Sequence, residues 1–131
     1  MATTETRWLL DTTILVDILR GNRSARDWVD ALPEDTCAIS VITAAELLAG
    51  CRNRTEQRAV EHELELYETL WVTEEISQAA LEFYKKYHLS HNVGFLDCLI
   101  AATATTNGLR LATVNLKHFA PFPRLATERP Y

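Results

Sequence analysis

Three acidic side chains lie beside apolar runs, each next to a predicted junction between a strand and a helix. Asp11 directly follows the apolar run at residues 8–10, and Glu46 lies in the predicted first turn of the helix after the run at 37–41. Asp97 lies in the predicted first turn of another helix. Because neighbouring carboxylates repel one another, a fold tolerates them best when a cation lies between them. The pattern therefore indicates a site for a divalent cation.

The ligand types in this pattern are oxygens alone, which favour Mg²⁺, or Mn²⁺ in its place, over zinc. Such an ion can activate water and neutralise the charge of a phosphodiester during in-line displacement. Neutral oxygens and hydrogen-bond donors stand near the acids in the sequence; they belong to Thr12, Thr13, Thr113 and Asn115. The sequence thus points to hydrolysis at a phosphodiester, with strand-end turns and helix caps as the alternative role of these four residues.

Each acid also has a purely structural interpretation. Asp11 could cap the helix that begins at Thr12 or Thr13. Glu46 could be the second half of a capping box with Thr43, and Asp97 could complement the dipole of its helix. These alternatives weaken if all three acids lie at one edge of a parallel sheet, where ligands bind in open α/β folds.

Alternating strands and helices are predicted along the chain. Apolar runs predict strands at 8–10, 37–41, 71–72 and 109–114. Helical spacing of apolar residues predicts the segments between them, at 14–19, 24–32, 43–49, 55–70, 74–87 and 95–107. Strands separated by helices pair in parallel through right-handed crossovers. We therefore expect a three-layer α/β/α fold with a small, mainly parallel sheet of four to five strands, in a single domain over residues 1–131.

Composition excludes several classes of protein. The 131 residues have ordinary apolar and charged shares of 47% and 24%, which argue against disorder, and no apolar run is long enough to span a membrane. The segment 1–7 has no apolar stretch typical of a signal peptide, so a cytoplasmic protein is expected. Three cysteines without a CxxC spacing argue against a disulfide framework or a zinc site.

Charge is unevenly distributed. The net charge is −5, but residues 56–82 carry eight acidic residues and one basic residue, whereas residues 83–131 carry two acidic and six basic residues. The overall sign therefore does not exclude an anionic partner such as RNA. Arg20, Arg23 and Arg26 recur at roughly helical intervals and are the candidates for contacts with an RNA backbone, with ordinary solvated charges as the alternative.

Four sequence blocks together resemble the PIN-domain proteins of the VapC toxin type. They are LLDTTILVD at 9–17, SVITAAELLAG at 40–50, GFLDCLIAATA at 94–104 and LATVNLKHF at 111–119, and they occur in the family's order. The resemblance implies a Mg²⁺-dependent ribonuclease that is the toxin of a toxin–antitoxin pair. It also implies a homodimer, a small VapB-type antitoxin that masks the site, and Asp11, Glu46 and Asp97 as metal-binding and catalytic acids.

The fourth block departs from the fuller family pattern. Many relatives carry a fourth acid at the place of Asn115 or of His118, and neither residue is acidic here. We therefore expect one Mg²⁺ ion rather than two, with Thr12, Thr113 and Asn115 in supporting roles that orient water or a ligand. His118 is expected to pack beside Phe119 and to contribute little to the site.

Other functions remain possible from the sequence. A module of the same fold without catalytic activity could bind an antitoxin or RNA alone. Metal-free cleavage of RNA by histidine acid–base chemistry is a weaker alternative, because the histidines, His62, His88, His91 and His118, have no evident common site. A receiver domain fits poorly, since Asp11 is followed by two threonines rather than by a second acid.

Overall fold

A five-stranded sheet forms the centre of the protein in the computed structural model, which describes residues 6–131. The strands are β1 (Trp8–Leu10), β2 (Cys37–Ser40), β3 (Glu68–Leu70), β4 (Arg110–Ala112) and β5 (Thr127–Glu128). Their spatial order is β3-β2-β1-β4-β5, and every neighbouring pair is parallel. β1 is therefore the central strand, and the expected parallel α/β sheet is confirmed.

Seven helices occur within the described residues. They are α1 (Thr12–Leu19), α2 (Arg23–Asp30), α3 (Val41–Ala49), α4 (Arg54–Leu64), α5 (Glu74–His91), α6 (Phe95–Asn107) and α7 (Leu116–Phe119). Several of these helices have a capping side chain at their N-terminus. Asn22, for example, accepts a hydrogen bond of 3.0 Å from the backbone N–H of Ala25 at the start of α2. The cap of α2 is thus Asn22 and not Ser24, where the sequence pattern predicts the helix start.

Helices cover both faces of the sheet because successive strand residues point to opposite sides. Leu9 contributes to one apolar core, which contains residues of α5 and α6 such as Ala102. Trp8 and Leu10 contribute to a second core, which contains residues of α1 and α2 such as Ile14. The resulting arrangement is the three-layer α/β/α sandwich that the sequence predicts.

Several boundaries differ from the sequence-based predictions. β3 ends at Leu70, whereas the apolar pair that predicts it includes Trp71, which is 68% exposed. α5 extends beyond its predicted end at residue 87 to His91, and the next residue, Asn92, has a left-handed backbone with φ of 51°. α4 ends at Leu64 rather than at residue 70, and the segment 115–131, for which no element is predicted, contains α7 and β5. Predictions from local polarity are therefore less accurate for the ends of the elements than for their presence.

The register of the central strands determines which side chains meet at the carboxyl edge of the sheet. Leu10 of β1 pairs with Ala112 of β4, so the next residues, Asp11 and Thr113, are neighbours. The backbone N–H of Asp11 donates a hydrogen bond of 2.9 Å to the carbonyl of Ala112, which continues the ladder by one residue. A residue after each strand is thereby held beside its counterpart on the adjacent strand.

Among residues 6–131, no helix is both long and apolar enough to cross a lipid bilayer. The prediction that segment 1–7 is not a signal peptide falls mostly on residues 1–5, which lie outside the described residues.

Candidate functional site

Asp11 is held by hydroxyl groups at the centre of the carboxyl edge. Its side chain is buried, with 5% of the residue exposed, and its Oδ2 accepts hydrogen bonds of 2.8 Å from the hydroxyls of Thr13 and Thr113. Those hydroxyls each accept a backbone N–H, from Val114 at 3.1 Å and from Asn115 at 3.0 Å. A hydroxyl that accepts one bond is polarised to donate another, so the arrangement stabilises negative charge on Asp11.

The contacts of Asp11 exclude the helix-capping interpretation. Asp11 occupies the N-cap position of α1, but its side chain makes no capping hydrogen bond to the backbone of that helix. A capping aspartate would instead accept the N–H groups of the first turn. The carboxylate is thus oriented by Thr13 and Thr113 and does not cap the helix.

Glu46 is oriented by a second threonine pair. The hydroxyl of Thr12 lies 2.9 Å from Oε1 of Glu46 and 3.0 Å from the hydroxyl of Thr43. Because a hydroxyl has one proton and an ionised carboxylate only accepts, Thr12 donates to Glu46 and receives the proton of Thr43. α1 and α3 are therefore joined by a polar chain that ends on an exposed carboxylate.

The predicted capping box at Thr43 and Glu46 is wrong. α3 begins two residues earlier, at Val41, and Ser40 caps it by accepting a hydrogen bond of 3.0 Å from the N–H of Ile42. Thr43 is fully buried within the helix, and Glu46 lies in the second turn rather than the first. Since neither residue caps α3, the capping interpretation does not explain this pair. The contacts of both residues with Thr12 explain it instead.

Asp97 pairs with a histidine. It lies in the first turn of α6, and its Oδ2 is 2.6 Å from Nε2 of His118 in α7. His118 also packs edge-on against Phe119, at 5.8 Å between ring centroids, as the sequence predicts. Its imidazole also contacts one of the three candidate acids, a contact that the sequence does not predict, and whether His118 contributes little to the site stays a prediction.

A short segment after β4 connects the environments of Asp11 and Asp97. Thr113 binds Asp11 through its hydroxyl and receives the N–H of Asn115, and the carbonyl of Asn115 accepts the N–H of His118 at 3.2 Å. His118 then binds Asp97. Six consecutive residues thus carry the groups that hold two of the acids, and Asn115 supplies backbone contacts between them.

The three acids share one pattern. In each, the hydrogen bonds found within residues 6–131 go to a single carboxylate oxygen: Oδ2 of Asp11, Oε1 of Glu46 and Oδ2 of Asp97. No lysine or arginine of this part of the chain forms an ion pair with any of them. One oxygen of each acid is therefore left for another partner, and hard oxygen ligands fit Mg²⁺ or Mn²⁺.

The acids are not gathered into a complete cation site. Over the described range, no group of three or more His, Cys, Asp or Glu side chains is arranged to hold a metal ion. The structure joins Asp11 to Thr113 and Glu46 to Thr12, and it places Asp97 against His118. The donor types fit a magnesium ion, and side-chain movement would be needed to bring the three carboxylates onto it.

The three candidate arginines differ in their surroundings. Arg23 forms an ion pair with Asp27 at 3.1 Å, and Arg26 pairs with Asp30 at 3.3 Å and also with Glu63 of α4. Arg20 makes no ion pair within residues 6–131 and lines the surface beside Thr12 and Asn115. Of the three, Arg20 is the one that has no ion-pair partner within residues 6–131, and it lines the same depression as Glu46.

The other ionisable groups near the site have structural partners. The imidazoles of His62, His88 and His91 lie near Glu65, Tyr84 and Ser90, so the described residues do not bring them together. Cys98 follows Asp97 but is fully buried, and burial together with the charge of Asp97 raises the pKa of its thiol to about 11. Neither set provides a nucleophile or an acid–base pair at pH 7.

The sequence predicts the roles of two residues of the site, Thr43 and Thr13, only in part. Thr43 is recognised there only as a cap, although its position three residues before Glu46 places both on one face of α3. Thr13 is noted only as a nearby oxygen, yet it binds Asp11 directly. The two consecutive threonines after Asp11 at the strand end are the signal that could have identified Thr13, and the spacing of Thr43 and Glu46 is the signal for Thr43.

Two open depressions lie along α1. One, of about 430 Å³, is lined by Thr12, Asp17, Arg20 and Asn115 among others. The other, of about 490 Å³, lies between α1, α3 and α4 and includes Glu46 in its wall. Its floor is apolar, with Val16, Leu19, Leu47 and Val60, and its rim is charged. Of the three acids, Glu46 is therefore reachable from solvent through the second depression, and the first is lined by Thr12 and Thr13 next to Asp11.

Comparison with protein families gives one match over most of the chain. The model of the PIN domain matches residues 8–125, which includes all three acids and the segment after β4.

Comparison with individual proteins gives matches of similar extent. The chain is 42% identical over 119 residues to "Ribonuclease VapC10" of Mycobacterium tuberculosis, with 89% of each chain covered. It is 37% identical over 126 residues to "Ribonuclease VapC19" of the same organism, with 94% of this chain and 98% of the relative covered. A solved structure, "Toxin-antitoxin complex from Klebsiella pneumoniae", superposes with a TM-score of 0.79 at 29% identity, over 94% of this chain and 97% of that one.

Proposed function

The chain belongs to the PIN-domain family, and from this we propose that it is a Mg²⁺-dependent endoribonuclease, the toxin of a VapBC-type toxin–antitoxin pair. The observation that carries the proposal is the shared state of Asp11, Glu46 and Asp97. Each is fixed through one oxygen and has another oxygen without a partner among the described residues. The two M. tuberculosis relatives are named ribonucleases, which supports the same activity.

The three acids would hold the ion by the oxygens that their hydroxyl and imidazole partners leave unused. When bound, a magnesium ion supplies an activated water and neutralises charge on the scissile phosphate. The protein's contribution is orientation. Thr13 and Thr113 fix Asp11, and Thr12 fixes Glu46, each through one carboxylate oxygen, so that the remaining oxygen of each would be held ready for the ion.

RNA would reach the acids along α1. Arg20 lines both depressions along α1, one of which includes Glu46, and would pair with a phosphate of the backbone. The side-chain amide of Asn115, exposed on the opposite wall of the first depression, would donate to a phosphate or to a water molecule. Arg23 and Arg26 would contribute less, because each already has a carboxylate partner. We place this activity in the cytoplasm, with Mn²⁺ able to replace Mg²⁺.

A VapB-type antitoxin would occupy the depression between α1, α3 and α4. Its apolar floor suits the apolar face of a partner helix, and its charged rim would fix the register of that helix. We also propose a homodimer, for which the exposed leucines Leu81 and Leu89 of α5 offer apolar surface. Growth arrest that a co-expressed neighbouring small protein relieves would support the toxin assignment, and light scattering would measure the dimer.

Incubation of antitoxin-free protein with mixed RNAs, with Mg²⁺ or with chelator, tests the activity. We expect cleavage only with Mg²⁺ and none by Asp11→Asn. Cleavage in chelator would contradict the metal-dependent mechanism. Normal growth on expression of the protein alone would contradict the toxin role.

One observation favours a second candidate, a module of this fold that binds an antitoxin or RNA without cleaving it. The described residues contain no preformed group of three metal ligands. Under this alternative, purified protein binds RNA equally well with Mg²⁺ and with chelator and leaves every RNA intact. The same incubation therefore separates the two functions.

A further inference from the structure

We infer that His118 is a positioning residue for Asp97, and that through Asp97 it sets the affinity of the candidate cation site. The inference rests on the proposed function, and the contact that carries it is the 2.6 Å hydrogen bond between Nε2 of His118 and Oδ2 of Asp97. Because an ionised carboxylate only accepts, the imidazole donates through Nε2. Oδ1 of Asp97 is then the oxygen that faces a cation.

Burial alone does not explain this contact. The side chains of His118 and Asp97 are 42% and 26% exposed, so water could satisfy both groups if they were apart. An exposed hydrogen bond of this kind adds little to stability. Its physical consequence is instead to remove rotational freedom from the carboxylate, which would otherwise turn about its two side-chain torsions.

The backbone around His118 is itself tied to Asp11. The N–H of His118 donates to the carbonyl of Asn115, and the N–H of Asn115 donates to the hydroxyl that binds Asp11. α7 therefore carries His118 at a fixed place relative to Asp11. Because His118 also binds Asp97, the segment 113–118 contacts both Asp11 and Asp97. The distance between the two acids therefore depends on this one segment.

Substitution of His118 tests the inference in antitoxin-free, full-length protein. His118→Phe keeps an aromatic ring beside Phe119 but removes the donor, whereas His118→Gln retains an N–H near the position of Nε2. His62→Phe, at an exposed site on α4, is the matched control. Calorimetry with Mn²⁺ alone, without RNA, measures the affinity, and circular dichroism verifies the fold of each variant.

We expect His118→Phe to weaken Mn²⁺ binding about 10- to 100-fold, the range found for partners that orient a metal ligand. His118→Gln should recover most of this loss, and His62→Phe should match wild type. Cleavage by His118→Phe should return at saturating Mn²⁺, because the defect lies in metal affinity.

Three results would overturn the positioning role: unchanged Mn²⁺ affinity in His118→Phe, an equal loss in His118→Gln, or a cleavage defect that persists at saturating Mn²⁺. Failure of the proposed function is distinguishable, since wild-type protein itself would then bind no Mn²⁺ or cleave no RNA. If wild type binds Mn²⁺ without cleaving RNA, the affinities of the two variants still decide the inference.

Discussion

The hydroxyl of Thr113 donates a hydrogen bond of 2.8 Å to Oδ2 of Asp11, across 102 positions of sequence. The bond joins the residues that directly follow two adjacent parallel strands. Thr113 is fully buried and accepts the N–H of Asn115 in turn, so its hydroxyl has both a donor and an acceptor role. The orientation of a central candidate acid therefore depends on a residue that follows β4, the fourth of the five strands in sequence.

Thr113→Val should separate this role from packing. Valine keeps the shape but leaves the N–H of Asn115 without a partner and Asp11 with only the hydroxyl of Thr13, which should cost about 1–3 kcal/mol of unfolding free energy. Mn²⁺ affinity should fall about 10- to 100-fold. Urea denaturation and calorimetry measure the two effects. Thr103→Val is the control, because Thr103 is equally buried but binds only the carbonyl of Leu99 within α6. Equal Mn²⁺ affinity in both variants would contradict the prediction.

Asp97→Asn should separate metal binding from stability. Asparagine keeps an acceptor for His118 and removes one negative charge, so the metal-free variant should unfold at or above the wild-type temperature. Mg²⁺ should raise its melting temperature less than that of wild type. RNA cleavage should fall at least about 100-fold, beyond the range for a residue that only orients a ligand.

Thermal melts with and without Mg²⁺, beside a cleavage assay, measure these effects. If Asp97 only complements the dipole of α6, the variant loses about 0.3–1 kcal/mol of stability and cleaves RNA normally. A destabilised but active Asp97→Asn would therefore disprove the assignment of this acid.

Arg20→Gln should weaken RNA binding in a way that depends on salt. Measured in the inactive Asp11→Asn background, the variant should bind all RNAs less tightly, and the slope of log affinity against log salt should fall by about 0.7 for one lost contact with single-stranded RNA. Arg23→Gln is the control, since Arg23 is paired with Asp27 and should leave the slope nearly unchanged. Equal slopes for both variants would show that Arg20 does not contact phosphate.

The buried contact between Tyr67 and Glu63 predicts a pH effect on stability. The Tyr67 hydroxyl donates to Oε2 of Glu63 at 2.5 Å, and burial, with the neighbouring carboxylate, raises the pKa of Tyr67 far above its usual value near 10. The unfolded chain therefore loses this proton first as the pH rises. Stability from Tyr67 is present below pH 10 and declines above it.

Tyr67→Phe tests this effect through urea midpoints at pH 7, 9 and 10.5. At pH 7 the variant should lose about 1–3 kcal/mol, because Glu63 keeps only its arginine partner, Arg26. Between pH 9 and 10.5 the midpoint of the variant should fall less steeply than that of wild type. Parallel decline of the two proteins would assign the alkaline loss to other groups, such as Tyr131, whose pKa burial also raises.

The sequence predicts the order of the elements well, because apolar runs and helical spacing are local properties. It indicates the three acids for a related reason, since the local pattern predicts each of them near a junction between elements. It does not predict the contact of His118 with Asp97, which depends on how α7 packs against α6. The partner of Glu46 is missed because the start of α3 is misplaced by two residues, and a capping box then explains Thr43 and Glu46 too easily.

The position of β1 at the centre of the sheet also has a consequence for synthesis on the ribosome. Asp11 is translated early, but its neighbour on the next strand follows 102 residues later. At about 5–20 residues per second, translation separates the two by roughly 5–20 s. During that interval the nascent chain has the first acid and Thr13 but not Thr113, the second hydroxyl that orients it. If the proposed function is correct, an incomplete chain cannot attack the messenger RNA that encodes it, and an antitoxin translated in the same period meets the toxin as its site forms.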